Sequence, residues 1–293
     1  MVECFICGSE MHPSLILSDE RYETTPKKEF EIYECSECGL GKTHPLPDDL
    51  EKYYHSQYYD GLKEKKKLSV IRKIHSKYEN LVEPDDLLPN NGKRLLAVGC
   101  GPGNKLAQLD LEGWDCTGVE PNKEAAEYAI SEHGLDVKNG TLSEVSADLA
   151  EEEFDVIIFD HVFEHLPNPN KNLELCDELL AENGDLIIEV PNFDSWDRKL
   201  FGKYWGDHDV PRHIYHYTPD SLDRLLDTHG FNLVASSYDG RARLPAGWFT
   251  DLLQGRYGMD LPTLAVYPLF IPYGIMAKIF GRSRFRHKYG HQK

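Results

Sequence analysis

Two groups of residues in this 293-residue chain have the types and spacing to do chemistry. The first is Cys4-x-x-Cys7 with Cys35-x-x-Cys38. Thiolates in two such knuckles are a donor set that Zn²⁺ favours, and four protein ligands leave no open coordination position, so the metal site they predict is structural. Gly8 and Gly39 directly follow the knuckles, where a tight turn benefits from glycine. The second group is Gly99-Cys100-Gly101-Pro102-Gly103, set between an apolar strand pattern and a helix pattern, with Glu120 ending the next strand. Glycine accepts positive φ and removes the Cβ that would hold a ligand away. A carboxylate at the end of the second strand can accept both hydroxyls of a ribose. A dinucleotide fingerprint wants another small residue where Asn104 stands, so these alternating glycines favour a ligand without a pyrophosphate.

Proton-transfer candidates fall into two clusters. DHVFEHLP holds Asp160, His161, Glu164 and His165, and WGDHDVPRHIYHY holds His208, His213 and His216. Imidazole titrates near neutral pH, which suits a general base. His165, His213 and His161 are the candidate catalytic residues. The competing reading is structural: His165 braces the loop after its strand, and His213 with Arg212 anchors the loop entering the next helix. Trp205, Tyr204, Tyr215 and Tyr217 either wall an acceptor pocket or simply pack.

These residues need a scaffold, and the pattern supplies one. LLAV, CTGV, a short strand near Leu135 to Lys138, FDVIIFD, DLIIEVP and FNLVAS read as strands. Between them lie helices carrying Leu106 and Leu109; Ala125, Ala126, Ala129 and Ile130; and Leu173, Cys176, Leu179 and Leu180, the last helix ended by Asn183-Gly184. YTPDSLDRLLDTHGF is a further helix, capped by Thr218, with Pro219 at its first position and Gly230 closing it. Strands alternating with helices at these intervals imply a doubly wound, mostly parallel sheet. Cys100, Cys116 and Cys176 fall inside this pattern and read as core residues. The domain boundaries that follow are a metal module over 1–45, a helical connector over 46–92, a ligand-binding core over 93–240, and a helical cover with a basic tail over 241–293.

Lys and Arg number 32 against 50 Asp and Glu, a net charge of -18, and this argues against nucleic acid as a partner, because duplex affinity rests on neutralised phosphates. The Lys-rich stretch Lys63 to Lys77 reads equally as a solvated helix face. No apolar leader precedes Cys4, and paired knuckle cysteines point to a reducing compartment, so a cytoplasmic location is expected. Prolines interrupt the apolar segment 261–280. A substrate cover or partner interface is therefore preferred to a peripheral membrane or lipid contact, and the prolines and limited length argue against a spanning helix. The oligomeric state is not fixed by the sequence.

RLLAVGCGPGN, GVEPN and FDVIIFDHVFEHLPNP, continuing through GDLIIEVPN and PRHIYHYTPDSLDRLLDTHGF, resemble the ordered motifs of class I S-adenosylmethionine-dependent methyltransferases over roughly residues 94–236. The resemblance implies a Rossmann-like, mostly parallel seven-stranded sheet behind the small zinc module. It implies that Gly99, Gly101 and Gly103 line the methionine part of the cofactor, and that Glu120, with Pro121 beside it, holds the ribose. Thr141 and Leu142 would flank the adenine, where this chain has Asn139-Gly140-Thr141 in place of the acid common in the family. Asp160 and His161 would lie beside the reactive methyl. The N-terminal cysteine pairs combined with this domain resemble a subgroup that modifies sugars, lipids and natural products, which implies a small-molecule acceptor. The alternatives are an RNA methyltransferase gripping nucleic acid through the zinc module, and a non-catalytic cofactor-binding protein. The ending RSRFRHKYGHQK does not resemble the family's last strand and reads as a basic tail.

Overall fold

The computed structural model describes residues 2–18, 28–54, 87–88, 94–239, 243–259 and 284–291. The Lys-rich stretch, most of the expected connector and the apolar 261–280 segment lie outside these residues. In chain order the strands are β1 (Val2–Glu3), β2 (Glu10–Ser18), β3 (Glu29–Cys35), β4 (Gly41–His44), β5 (Arg94–Val98), β6 (Asp115–Glu120), β7 (Asp136–Asn139), β8 (Phe154–Asp160), β9 (Leu180–Pro191), β10 (Tyr215–His216), β11 (Phe231–Asp239) and β12 (Arg284–His291). The helices are α1 (Asn104–Leu111), α2 (Lys123–His133), α3 (Leu142–Leu149), α4 (Pro169–Leu179), α5 (Trp196–Phe201), α6 (Pro219–Asp227) and α7 (Arg243–Tyr257). Among the described residues, no helix is long and apolar enough to cross a membrane.

The chain divides into two compact units. The first comprises Met1–Pro84, Pro191–Leu222 and Tyr238–Phe285, and the second Asp85–Val190, Asp223–Ser237 and Arg286–Lys293. Neither is contiguous, so the expected boundary near residue 92 does not separate them. Residues 191–222, read from sequence as part of the ligand-binding core, belong with the N-terminal strands.

The first unit is built on a five-stranded sheet in the order β1-β2-β3-β4-β10. Every recorded pairing in it is antiparallel, and Tyr215 and His216 of β10 register with Lys42 and Gly41 of β4. Alternation along β3 turns Phe30 and Ile32 inward, where they pack with Leu17, Tyr53, Phe193, Phe201, Trp205 and Val210. Each fully buried aliphatic or aromatic side chain of this kind contributes about 1.5–3 kcal/mol. Gly41 is required here: a Cβ on it would stand 2.8 Å from the Phe193 ring and 2.9 Å from His216 Cβ.

The second unit carries a seven-stranded sheet in the order β11-β12-β9-β8-β5-β6-β7. The pairs β5–β6, β5–β8, β6–β7 and β8–β9 are parallel. Buried Leu95, Val156, Ile158 and Ile187 share a core with Leu106 and Leu109 of α1 and Ala126 and Ala129 of α2. The Rossmann-like, mostly parallel sheet expected from the motif order is therefore present. Three local readings need correction. Ile130 is exposed, not inward. α4 ends at Leu179, and Asn183, at φ 62, lies inside β9, where Leu180 pairs with Phe154 and Asp185 with Val156, so extra residues are looped out between them. The ending read as a basic tail is β12, inserted between β11 and β9. In β12 the buried side chains Phe285, His287 and Tyr289 alternate with half-buried cations. Arg286 pairs with Glu189 at 2.6 Å and Lys288 with Asp185 at 2.8 Å.

Candidate active site

The glycine bend follows β5. Gly99 (φ 69), Gly101 (φ 56) and Gly103 (φ 75) all hold left-handed backbone, yet they do different jobs. A Cβ on Gly99 would stand 2.5 Å from Val162 Cγ2, and one on Gly103 would stand 2.9 Å from Ala129 Cβ. Those two glycines let elements pack. Only at Gly101 would a Cβ meet nothing within 4 Å, so the open side of the bend is there. Gly118, which the sequence reading passed over, leaves room for the Cys100 sulfur, 2.7 Å from where its Cβ would be. The Cys100 thiol is pushed up to about 12 by burial and by the charge of Glu120, so it is an inert packing group.

Glu120 ends β6 and is 4% exposed. Its Oε2 accepts the Gly101 N–H at 2.8 Å and its Oε1 accepts the Asn122 N–H at 2.8 Å. Burial pushes this carboxyl up, and the two amide bonds offset that only in part. A carboxylate offers about four lone-pair sites. Two are used, and two stay available to a diol. An open glycine backbone tied to a buried carboxylate with spare acceptors fits an adenosyl ligand.

The segment expected beside the adenine is organised by its own polar groups. Asn139 donates its amide to the Glu120 carbonyl at 2.9 Å and to the Pro121 carbonyl at 3.2 Å. Glu144 accepts both the N–H and the hydroxyl of Thr141, at 2.7 and 2.8 Å, closing a capping box on α3. Those bonds hold the Glu144 carboxyl below its usual range. Thr141 is thus committed to the helix cap, and Leu142 is buried.

At the end of β8, Asp160 forms an ion pair with Lys105 of α1 at 2.7 Å. His161 sits at φ 55, with its ring between two carboxylates: Nδ1 is 3.4 Å from Glu164 and Nε2 is 3.3 Å from Glu189. Burial alone would push the Glu189 carboxyl up, but His161, Arg286 and Lys105 outweigh it and hold it well below the usual range. His165 closes the 3-10 turn Phe163–His165 and is half-buried. Sequence reasoning missed Lys105, Glu189 and Arg286. The available signals were one acid inside an apolar strand pattern and the period-two R-F-R-H-K-Y.

His213 belongs to the first unit. Its Nδ1 donates to the Asp207 carbonyl at 2.8 Å, and Nε2 lies 3.8 Å from Asp209. Thr43 Oγ1 donates to the His213 carbonyl at 2.6 Å and lies 3.0 Å from His216 Nε2. A hydroxyl has one proton, so His216 Nε2 must be the donor to Thr43. Burial first, then His208, His213 and Arg198, hold His216 well below its usual value, and it is a neutral packing residue. Trp205 and Tyr217 are fully buried. They are core, whereas Tyr204 lies half-exposed against α7 at Gly255.

The four knuckle cysteines converge. Cys4–Cys38 and Cys7–Cys35 sulfurs are 3.5 Å apart and Cys7–Cys38 3.9 Å, with all four within 4.8 Å of one another. Tetrahedral thiolates at Zn–S distances of about 2.3 Å have edges of about 3.8 Å, whereas a disulfide needs about 2.05 Å. The donor set fits zinc. The knuckles are near copies: the Gly8 and Gly39 amides donate to the Cys4 and Cys35 carbonyls at 2.8 and 2.9 Å, with φ of 74 and 73. Thr218 Oγ1 reaches the Cys38 carbonyl at 3.3 Å, and the Thr218 hydroxyl also accepts the Ser221 N–H at 3.1 Å to cap α6.

Comparison with known proteins agrees with this geometry. A family model described as "Methyltransferase domain" matches residues 70–236. A ubiquinone biosynthesis O-methyltransferase of Cereibacter sphaeroides is 30% identical over 195 residues, covering 62% of this chain and 76% of that protein. One from Ruegeria is 31% identical, covering 50% and 63%. Among solved structures, a SAM-dependent methyltransferase from Archaeoglobus fulgidus aligns with a TM-score of 0.50 at 21% identity, over 80% of this chain and 99% of that one. The O-methyltransferase of a trans-AT PKS multienzyme from Brevibacillus brevis, in complex with S-adenosyl-L-homocysteine, aligns with a TM-score of 0.50 at 18% identity, over 76% of each chain. At these identities the two structures speak to the fold alone. Sheet order, the bend tied to Glu120 and the family match together make this chain a member of the class I S-adenosylmethionine-dependent methyltransferases.

Proposed function

We propose that the protein methylates a hydroxyl oxygen of a small-molecule acceptor of the sugar, lipid-linked or natural-product kind. The observation that carries the cofactor half of this reading is the 2.8 Å bond from the Gly101 amide to the buried Glu120 carboxylate. The oxygen specificity draws on the O-methyltransferase relatives. The bound cofactor would supply an activated methyl: an O–C bond forms, the C–S bond breaks, and the sulfonium becomes a neutral thioether.

The protein's own residues would bind and orient. The open backbone at Gly101, with Gly99 and Gly103 shaping the bend, would take the methionine side. Glu120 would accept the ribose hydroxyls with Pro121 beside it, and Thr141 and Leu142 would border the adenine. Asp160 and His161 would face the reacting end. The acceptor's proton is assigned to one of the imidazoles of His165, His213 and His161. His161 is included by its position at the end of β8, with its ring between Glu164 and Glu189. Cys4, Cys7, Cys35 and Cys38 would hold a structural Zn²⁺ within the first unit, at one end of its five-stranded sheet.

Isothermal titration with S-adenosylhomocysteine should give saturable binding that weakens more than about tenfold in Glu120→Ala, since a charge-assisted hydrogen bond to each ribose hydroxyl is lost. Labelled methyl transfer to a panel of phenols, sugars and hydroxylated lipids should yield methyl ethers. Absence of binding by the intact protein would remove the proposal. Methylation only of amines or carbon would remove its oxygen specificity.

A further inference from the structure

Among the described residues, several large apolar side chains are exposed, and four of them belong to α5 and the end of α7, both in the first unit. Trp196 is 57% exposed and Leu200 53%. They stand one helical turn apart on α5, and Lys199 lies beside them, so the three share one face of the helix. Lys199 is exposed too, and exposed Lys203 continues the stripe in the 3-10 turn Gly202–Tyr204. Tyr257 and Met259 are the exposed apolar residues at the end of α7, beside exposed Arg256.

The inner faces of the two helices are anchored. Phe201 of α5 is buried with Trp205, and Phe249 and Leu252 of α7 pack on the same core. Tyr204 joins the two exposed ends. A Cβ on Gly255 of α7 would stand 2.6 Å from its ring, and the Lys203 ammonium lies 5.2 Å from the ring centroid. With Phe201 turned inward, Trp196 and Leu200 are held outward, and clustered apolar exposure of this kind marks an interaction surface.

The composition of the surface selects its partner. Cores of protein–protein interfaces are depleted in Lys, and a second copy docking through the same patch would bring Lys199 and Lys203 toward their own counterparts. Trp and Tyr at headgroup depth, with Lys stems lying along the apolar surface and their ammonium groups at lipid phosphates, is the pattern of a helix resting in a bilayer surface. Lys199, Lys203 and Arg256 outnumber the exposed acids of these segments, Asp194 and Asp251, whereas the chain as a whole carries -18. Asp194 is also engaged by Lys199 at 2.7 Å, and Asp197 is buried. Beyond Met259 and Asp260 the sequence runs from 261 to 277 without a charged residue.

We propose that α5 and the end of α7 form a docking face for an anionic phospholipid bilayer, with Trp196, Leu200 and Tyr257 entering the headgroup boundary and Lys199 and Lys203 meeting lipid phosphates. So short a face gives reversible, salt-sensitive attachment, which suits an enzyme that meets a lipid-linked acceptor at the bilayer surface. The attachment itself needs neither cofactor nor acceptor, so it stands apart from the methyl-transfer reading.

Flotation of the full chain with vesicles of phosphatidylcholine, with and without phosphatidylglycerol, tests it. The wild type should float with the mixed vesicles and less with phosphatidylcholine alone. Trp196→Ser combined with Leu200→Ser should lower partitioning about 10–100-fold at an unchanged melting temperature, since both side chains face outward. Lys199→Gln combined with Lys203→Gln should cost about tenfold on the mixed vesicles and little on phosphatidylcholine. Lipids brominated near the headgroup should quench tryptophan fluorescence in the wild type, and Trp196→Phe should remove most of that quenching. A wild type that stays in solution would overturn the proposal. So would flotation that the Trp196→Ser and Leu200→Ser pair leaves unchanged, which would put the contact elsewhere on the chain. A concentration-dependent dimer in sedimentation velocity, abolished by the same pair in the absence of vesicle binding, would make the face a contact between copies of this chain instead.

Discussion

Arg286, on the last strand, lies 2.6 Å from Glu189 on β9, and Glu189 in turn faces the ring of His161. The C-terminal strand therefore supplies a countercharge to the buried acid beside the proposed methyl-transfer site. Arg286→Met leaves that acid with one cation fewer. The expected cost is about 3 kcal/mol, because removing one partner strands the other in a poorly solvated place.

The pH dependence of that loss has a definite sign. A carboxyl held below its unfolded value adds stability that is fully present above that value, about pH 4.3 for Glu, and is lost as pH falls through the folded value. The gap between wild type and Arg286→Met should be full at pH 6 and narrow toward pH 3. Urea unfolding midpoints across that range measure it, and a gap that stays constant to pH 3 would mean that packing, not charge, links the two strands.

Gly101 and Gly103 should respond differently to the same substitution. Gly103→Ala combines φ 75 with a Cβ 2.7 Å from Leu135 Cδ1 and 2.9 Å from Ala129 Cβ, so a loss of about 2–4 kcal/mol is expected. Gly101→Ala bears only the left-handed backbone cost of about 1–2 kcal/mol. Its new methyl enters the open side of the bend and should weaken cofactor binding. Thermal unfolding alongside calorimetry separates the two effects. The opposite ranking in stability would contradict the assignment of Gly103 to helix packing.

His216 predicts acid sensitivity in the first unit. Its folded pKa is depressed by burial, with His208, His213 and Arg198 adding to the effect. The unfolded chain binds a proton below about pH 6.5 and the folded site resists it, so stability is unaffected above that pH and declines below it, by about 1.4 kcal/mol per pH unit. In His216→Gln the slope between pH 6.5 and 5 should flatten. Denaturation curves at fixed ionic strength record this, and an unchanged slope would assign the acid sensitivity to another group.

Metal analysis should find about one zinc per chain, and chelation should lower the melting temperature, since four cysteine sulfurs within 4.8 Å of one another are a donor set that fits one tetrahedral zinc. Cys38→Ser should reduce zinc content. Thr218→Val should leave zinc in place and cost about 1–2 kcal/mol through the lost α6 cap. Zinc loss in Thr218→Val would mean that the link from Thr218 to the Cys38 carbonyl is needed to form the second knuckle.

Local patterns in the sequence were enough to determine the knuckles, the glycine bend, the acid at the end of β6 and the alternation of strands with helices. Each depends on a turn residue, a cap or a period that neighbouring residues impose, as with Gly39, Thr218 or the apolar run of β8. Only the tertiary structure decided the rest. It placed residues 191–222 with the N-terminal sheet, seated β12 between β11 and β9, divided the three glycines into one open position and two packing positions, and joined Lys105 to Asp160 and Arg286 to Glu189. Those outcomes rest on pairings between residues distant in the chain. A charged side chain such as Arg286 looks the same in sequence whether it faces water or a buried carboxylate, and only the neighbours brought by folding give it a role.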